Sequence, residues 1–174
     1  MYRFQNGLIG GGMRMKELKF VPMSQEMYEA FYDYSTKDYA KDLETSGKAT
    51  KEDSLSRAKE EFSQLLPQGM DTKDNYIVSV VLGEEVIGSL WYQKLNEKTL
   101  FICDILIYEE FRGKGYGKLT LQELDKVTRE LGLGQILLHV FSYNERAIRL
   151  YEKHGYVTAS EEKQGSFYMK KVLV

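Results

Sequence analysis

A glycine-rich segment between a predicted strand and a predicted helix constrains this chain more than any other feature. Residues 111–121 read FRGKGYGKLTL; they follow the apolar run at residues 100–107 and open an amphipathic stretch that extends to about Leu131. Glycines at alternate positions let successive backbone N–H groups converge on one anion, and the positive end of a helix dipole favours negative charge there. The junction therefore predicts a phosphate-binding loop.

The residues expected to surround the phosphate are those of the loop itself: Arg112, Gly113, Lys114, Gly115, Tyr116, Gly117 and Lys118. Its three basic side chains are expected to act as mobile cations. A nucleoside-triphosphate loop needs Gly-Lys followed by Ser or Thr, which no Gly-Lys pair of this chain has. A dinucleotide-binding loop needs Gly-x-Gly-x-x-Gly, and its third glycine is missing here. The pattern that remains is Arg-x-x-Gly-x-Gly.

A second pattern follows another apolar run at residues 135–140. Residues 144–156 read NERAIRLYEKHGY, with the spacing Asn-x-x-Ala-x-x-x-Tyr-x-x-x-Gly-Tyr. At 3.6 residues per turn, Asn144, Ala147 and Tyr151 fall on one face of a helix. Asn144 suits the helix start, and Gly155 suits a left-handed residue at its end. The pattern thus predicts an amide, a small residue and a phenol side by side.

Together these motifs resemble the two signatures of the GNAT family of N-acetyltransferases. The loop is similar to that family's site for the pyrophosphate of acetyl-coenzyme A (acetyl-CoA), and residues 144–156 are similar to its second signature. The resemblance implies an α/β fold of the acyl-CoA N-acyltransferase type, an α+β arrangement around a mixed sheet. It also implies an enzyme that uses acetyl-CoA and transfers acetyl directly, in a ternary complex, to a primary amine of a small molecule.

The order of predicted elements agrees with that fold. Apolar periodicity predicts β-α-α-β-β-β-α-β-α-β-β, starting near Lys16. The first helix is expected from Ser24 to about Tyr39, so residues 39–49 are expected to form a surface loop. The resemblance implies that the strand ending at Ile107 and the strand ending at Val140 run parallel and splay apart. The pantetheine arm of acetyl-CoA is expected in that gap.

The resemblance assigns further cosubstrate contacts to two places: the main chain of Ile105, Leu106 and Ile107, and the helix face with Asn144, Ala147 and Tyr151. The strand backbone is expected to hold the acetyl carbonyl and the pantetheine amides. The phenol of Tyr151 is expected to protonate the CoA thiolate. A phenol that only hydrogen-bonds the sulfur is the weaker alternative.

Acetyl transfer to an amine also requires a group that removes a proton. An alkyl ammonium has a pKa near 10.4, so only about one part in a thousand is neutral at pH 7. His139, on the strand before the second motif, is the candidate base, because imidazole titrates near neutral pH. The resemblance also implies that Asp104, on the strand before the loop, binds the amine substrate. For both residues a purely structural role is the alternative.

Composition narrows the class of protein. The chain has 174 residues, which we divide into an N-terminal appendage at 1–14 and a single domain at 15–174. Hydrophobic residues make up 43% and charged residues 29%, and no apolar run approaches the length of a membrane span. The net charge of -2, without a basic block, argues against nucleic acid as a partner.

One cysteine and two separated histidines predict neither an internal disulfide nor a metal site. A cytoplasmic location is predicted, and the sequence leaves both a monomer and a homodimer open. Three acids near the first helices, Asp38, Asp42 and Glu44, suit a small cationic amine as substrate. Two other functions stay open: a peptide N-terminal or lysine acetyltransferase, and a non-catalytic sensor that binds acyl-CoA.

Overall fold

The computed structural model describes residues 17–173. Its strands are β1 (Leu18–Pro22), β2 (Asn75–Leu82), β3 (Glu85–Lys94), β4 (Thr99–Ile107), β5 (Gln135–Phe141), β6 (Val157–Thr158) and β7 (Ser166–Val172). Its α-helices are α1 (Gln25–Thr45), α2 (Ser54–Leu65), α3 (Tyr116–Glu130) and α4 (Glu145–Lys153). The predicted order of elements and the predicted fold class are confirmed. The appendage proposed at residues 1–14 lies outside the described residues.

One mixed sheet organises residues 17–173, with strand order β1-β2-β3-β4-β5-β7-β6. Strands β4 and β5 are parallel, and the other neighbours are antiparallel. Pairing of β4 with β5 stops at Ile102 and Leu138, although β4 continues to Ile107 and β5 to Phe141. The two strands therefore part as expected, and a gap opens in the middle of the sheet.

A β-bulge changes the direction of β4 at the point where this gap begins. Trp91 of β3 pairs with Asp104, whereas its neighbour Tyr92 pairs with Ile102, so Cys103 is an extra residue on β4. An extra residue bends a strand and re-aims its side chains. The bulge thus sets the direction of Asp104 at the edge of the gap.

The two faces of the sheet are covered by different helices. Since successive side chains of a strand point to opposite faces, each strand contributes to two cores. One core joins Leu100, Ile102, Ile136 and Leu138 to α3 and α4 through Leu121, Leu124 and Tyr151. The other joins Ile77 and Trp91 to α1 and α2 through Phe31 and Phe62. The gap between β4 and β5 consequently lies between these two pairs of helices.

Helix α1 is longer than predicted. It continues to Thr45, because Ala40 and Leu43 extend its buried face; Leu43 is 0% exposed. The predicted loop at residues 39–49 is therefore wrong for most of its length, and the chain leaves the helix only at Ser46 and Gly47. No helix within residues 17–173 is both long enough and apolar enough to cross a membrane. The cytoplasmic location stays a prediction.

Candidate active site

The gap between β4 and β5 opens into a cavity of about 590 Å³. The cavity brings together most of the residues that the sequence predicted around a reaction centre: Asp104, Ile105, His139, Asn144, Ala147 and Tyr151. Helix α1 adds Ser35, Asp38 and Asp42 to its lining. The glycine-rich loop is not among the lining residues, since it follows the end of β4.

Asp104 faces α1 from the bulge on β4. The Ser35 hydroxyl donates a hydrogen bond of 2.6 Å to Asp104 Oδ2. Burial raises the pKa of Asp104 to about 6; the bond from Ser35 lowers it, and the nearby charge of Asp38 raises it. Above pH 6 the carboxylate form predominates, so the group can accept a proton or hold an ammonium.

Tyr151 enters the cavity from α4. Its side chain is 7% exposed and lies against Tyr156, with 5.5 Å between the ring centroids. Burial raises the pKa of Tyr151 above its ordinary value, and the charge of Asp104 adds to this effect. The phenol is therefore protonated at neutral pH and can donate a hydrogen bond.

The start of α4 is held by Asn144. Its side-chain oxygen accepts a hydrogen bond of 3.2 Å from the backbone N–H of Ala147. The predicted cap is thus present, and Asn144 and Ala147 both reach the cavity. This cap fixes the first turn of the helix that carries Tyr151.

His139 lies across the gap on β5, among different neighbours. Its ring centroid is 5.1 Å from that of Tyr168 and 5.5 Å from that of Phe141. Burial lowers the pKa of His139, and the ammonium of Lys48 lowers it further. His139 is therefore neutral at pH 7. Its electrostatic neighbour is Lys48, whereas the neighbour of Tyr151 is Asp104.

The glycine-rich loop has the backbone conformation that an anion site requires. Gly113 and Gly115 have φ of +75° and +83°, and a Cβ at either position would meet no atom within 4 Å. Gly115 directly precedes the first turn of α3. Glycine is therefore needed at these two positions for conformation, and the space in front of the helix end stays open.

Two basic side chains of this loop are less free than predicted. Arg112 Nε donates to the Ile107 carbonyl at 2.8 Å, and Lys114 Nζ donates to the Glu110 carbonyl at 3.0 Å. These bonds tie the loop to the end of β4 and correct the expectation of mobile cations at both positions. Lys118 is exposed, and Tyr116 packs against the core formed with α3 and α4.

Several polar residues of the cavity were not predicted from the sequence, among them Ser35 and Lys48. Ser35 stands four residues after the buried Phe31, so a hydroxyl on an apolar helix face is the signal that could have found it. Lys48 gives no local signal, because its partner lies on β7. Glu44, predicted with Asp38 and Asp42, instead accepts a hydrogen bond of 2.5 Å from Ser54.

Metal ligation is not indicated in the described part of the chain. Nowhere in residues 17–173 are three or more His, Cys, Asp or Glu side chains grouped to hold an ion.

Known proteins resemble this chain over most of its length. The model of the acetyltransferase (GNAT) family matches residues 25–156. The uncharacterized N-acetyltransferase YycN of Bacillus subtilis is 36% identical over 143 residues, which are 80% of this chain and 92% of YycN. The uncharacterized N-acetyltransferase YdgE of the same organism is 38% identical over 138 residues, which are 77% of this chain and 88% of YdgE.

Solved structures resemble the fold as well. The crystal structure of Bacillus subtilis YycN has a TM-score of 0.81 at 32% identity and covers 84% of this chain and 96% of its own. The PaiA N-acetyltransferase of Thermoplasma acidophilum, crystallised with coenzyme A, has a TM-score of 0.68 at 19% identity. That match covers 90% of this chain and 99% of PaiA, and at this identity it shows the fold alone.

Proposed function

Because this chain belongs to the acetyltransferase (GNAT) family, we propose that it transfers acetyl from acetyl-CoA directly to the primary amine of a small molecule. Membership of the family makes the chain an N-acetyltransferase, but it does not identify the acceptor substrate. The main observation behind the proposal is the cavity in the split sheet: the carboxyl of Asp104 and the phenol of Tyr151 both line it, and the charge of Asp104 acts on Tyr151.

The structure fits acetyl-CoA as the cosubstrate that supplies the activated acetyl group. Within the described sheet, β4 beyond Ile102 has no partner on the side of β5, as the binding of an amide-bearing arm requires. The main chain of Ile105, Leu106 and Ile107 is proposed to hold that arm. The backbone at Gly113 and Gly115, in front of α3, is proposed to hold the pyrophosphate.

Tyr151 is proposed as the proton donor to the leaving thiolate. Its raised pKa keeps the phenol protonated at neutral pH, so a donor is ready when negative charge develops on sulfur. The neighbouring Tyr156 is 2% exposed, and burial raises its pKa as well. Both rings pack into the core, which fixes the position of the Tyr151 hydroxyl.

Asp104 is proposed to bind the incoming amine and to accept its proton. Its neighbours Asp38 and Asp42 make this side of the cavity negative, which attracts a cationic amine. A carboxyl with a pKa of about 6 is also a stronger base than an ordinary aspartate, whose pKa is about 3.9. His139, predicted as the base, stays a second candidate. Its place beside Lys48 gives it less support, because a cation there repels an ammonium.

The experiment that tests this function is a panel of acceptors. The purified protein is incubated with acetyl-CoA and one amine from each of four classes: polyamines, amino acids, aminoglycosides and peptides with a free N-terminus. Thiol release is the readout, and a reaction without amine corrects for hydrolysis. Transfer to a small amine supports the proposal. Transfer only to peptides supports the peptide alternative, and tight binding of acetyl-CoA without any transfer supports the sensor.

A further inference from the structure

The cavity has an acidic side and a basic side. Asp38 and Asp104 line the side formed by α1 and β4, while Lys48, from the connection between α1 and α2, lines the side over β5 and β7. Asp42 lies between them and accepts a hydrogen bond from the Tyr143 hydroxyl. A ligand that spans the cavity therefore meets opposite charges at its two ends.

Lys48 is held in place without an ionic partner in the described chain. Its Nζ donates to Ser166 Oγ at 2.7 Å and lies 5.0 Å from the ring centroid of Phe141. None of the salt bridges within residues 17–173 includes it, whereas Arg57 nearby is paired with Glu61 at 2.9 Å. The Lys48 side chain is partly buried. Ser166 takes one of the three N–H donors of this ammonium within the described residues, and a carboxylate is a strong partner for the others.

The surroundings of Lys48 continue into a second cavity. Lys48, His139 and Tyr168 line both the cavity and a second one of about 530 Å³ on the side of β7. Lys163 lines the second cavity as well. Glu161 is the acid among its lining residues, and it forms no ion pair with Lys48. An anion beside Lys48 therefore has a second ammonium, that of Lys163, and the hydroxyl groups of Ser160, Ser166 and Tyr168 in the same cavity, with Glu161 as the opposing charge.

The spacing of the two sides limits the ligand. Asp104 lies on β4 and Ser166 on β7, with β5 between them, so two strand spacings of about 4.8 Å separate them by at least about 10 Å. Along α1, the rise from Ser35 to Thr45 gives about 15 Å. Lys48 and Asp104 line the cavity from elements that are this far apart, so a ligand that meets both charges must carry its amine and its carboxylate at opposite ends. The adjacent groups of an α-amino acid are too close together, whereas a side-chain amine fits.

We infer that the acceptor is an amino acid acetylated on its side-chain amine, with Lys48 binding the carboxylate and Asp104 facing the amine. This inference rests on the proposed function and names the substrate class of the same site. Lys48 is then a specificity-determining residue: it attracts the carboxylate and repels the second ammonium of a diamine of the same length.

Two pairs of acceptors test the inference, because the members of each pair differ only in the carboxylate: L-ornithine with putrescine, and L-lysine with cadaverine. The parent protein should show a kcat/KM for the amino acid that is about ten- to a hundredfold higher than for the diamine. Calorimetry with unacetylated CoA present should show the same preference in Kd, which separates acceptor binding from turnover.

Variants of Lys48 test whether this residue causes the preference for the amino acid over the diamine. Lys48→Met should lower kcat/KM for ornithine, mainly through KM, and should raise it for putrescine, since the repulsion of its far ammonium is removed. Lys48→Arg keeps the cation and should keep the preference. The matched control is Lys51→Met, an exposed lysine of the same connection outside the cavity lining, which should behave as the parent. Thermal unfolding checks that each variant is folded.

The outcomes separate this inference from the proposed function. Equal use of amino acid and diamine by the parent overturns the inference, as does a preference that survives in Lys48→Met; in both cases the proposed function stands. Transfer to other small amines but to none of these four also overturns the inference alone. Transfer to no small amine, by protein that binds acetyl-CoA, overturns both.

Discussion

The Ser35 hydroxyl donates a hydrogen bond of 2.6 Å to Asp104 Oδ2 and thereby joins α1 to β4 at the acidic side of the cavity. Ser35 is 3% exposed, so water does not replace this bond readily. Burial raises the pKa of Asp104 to about 6, and the bond from Ser35 opposes that rise by stabilising the carboxylate. Ser35 thus controls how much of Asp104 is charged near neutral pH.

Substitution of Ser35 should move the pH dependence of the reaction. Ser35→Ala removes a hydrogen bond to the charged form, so the pKa of Asp104 should rise and the acid limb of kcat/KM should move upward by on the order of one pH unit. Ser35→Thr should restore the parent profile. Ser63→Ala, on the exposed face of α2, is the control. An acid limb that does not move in Ser35→Ala means that Asp104 does not govern it.

Asp104 should also reduce the stability of the protein at neutral pH. Because its pKa in the folded chain is about 6 and in an unfolded chain about 3.9, ionisation costs the folded state free energy as pH rises through this window. Asp104→Asn removes that cost. The free energy of unfolding of the variant minus that of the parent should therefore be larger at pH 8 than at pH 4, by on the order of 1–3 kcal/mol. Denaturant titrations of both proteins at pH 4 and pH 8 measure this change. The same stability difference between variant and parent at both pH values would contradict the prediction.

The two candidate bases are separated by their variants. If Asp104 takes the proton, Asp104→Asn should lower kcat strongly and abolish the acid limb, leaving a slow reaction that climbs as the free amine itself titrates. His139→Gln should then keep the limb. Complete pH profiles of both variants, with the same acceptor, decide between them. If His139→Gln instead loses the acid limb and Asp104→Asn changes only KM, then His139 is the base and Asp104 only binds the amine.

The loop should bind the pyrophosphate through its backbone conformation. Gly115→Val forces a β-branched residue to a φ of +83°, so the loop should leave that conformation and most affinity for acetyl-CoA should be lost. Gly132 is a matched control, since it follows α3 with a φ of +73° and equally open space around a Cβ. Gly132→Val should strain the backbone similarly while keeping the parent affinity in calorimetry. Parent affinity in a folded Gly115→Val protein would show that the loop assignment is wrong.

Removal of one hydroxyl tests the leaving-group step. Tyr151→Phe should retain acetyl-CoA affinity while kcat falls by a factor on the order of ten to a thousand, because the proton donor is lost. Tyr156→Phe is the control: its buried hydroxyl has no hydrogen-bond partner in the described chain, so turnover should match the parent. Rates are measured where chemistry limits turnover. An unchanged kcat in Tyr151→Phe would leave Tyr151 a packing role only.

The sequence alone determined the features that depend on neighbours along the chain. Apolar periodicity and turn residues predict the type and order of the strands and helices, and the two motifs predict the loop and the cap at Asn144. The end of α1 was missed because the surface charges after Tyr39 suggest a loop. Only the packing of Ala40 and Leu43 against other elements reveals that the helix continues.

Tertiary structure decided the chemistry of the cavity. Ser35 meets Asp104 across 69 positions of the chain, and Lys48 meets Ser166 across 118. No local pattern encodes such pairs, because they depend on which strands become neighbours and on where the sheet splits. The same packing surrounds Asp104 with protein and so raises its pKa, while across the gap it sets Lys48 beside His139. Burial and charge at these positions are properties of the folded sheet and of the helices that cover it.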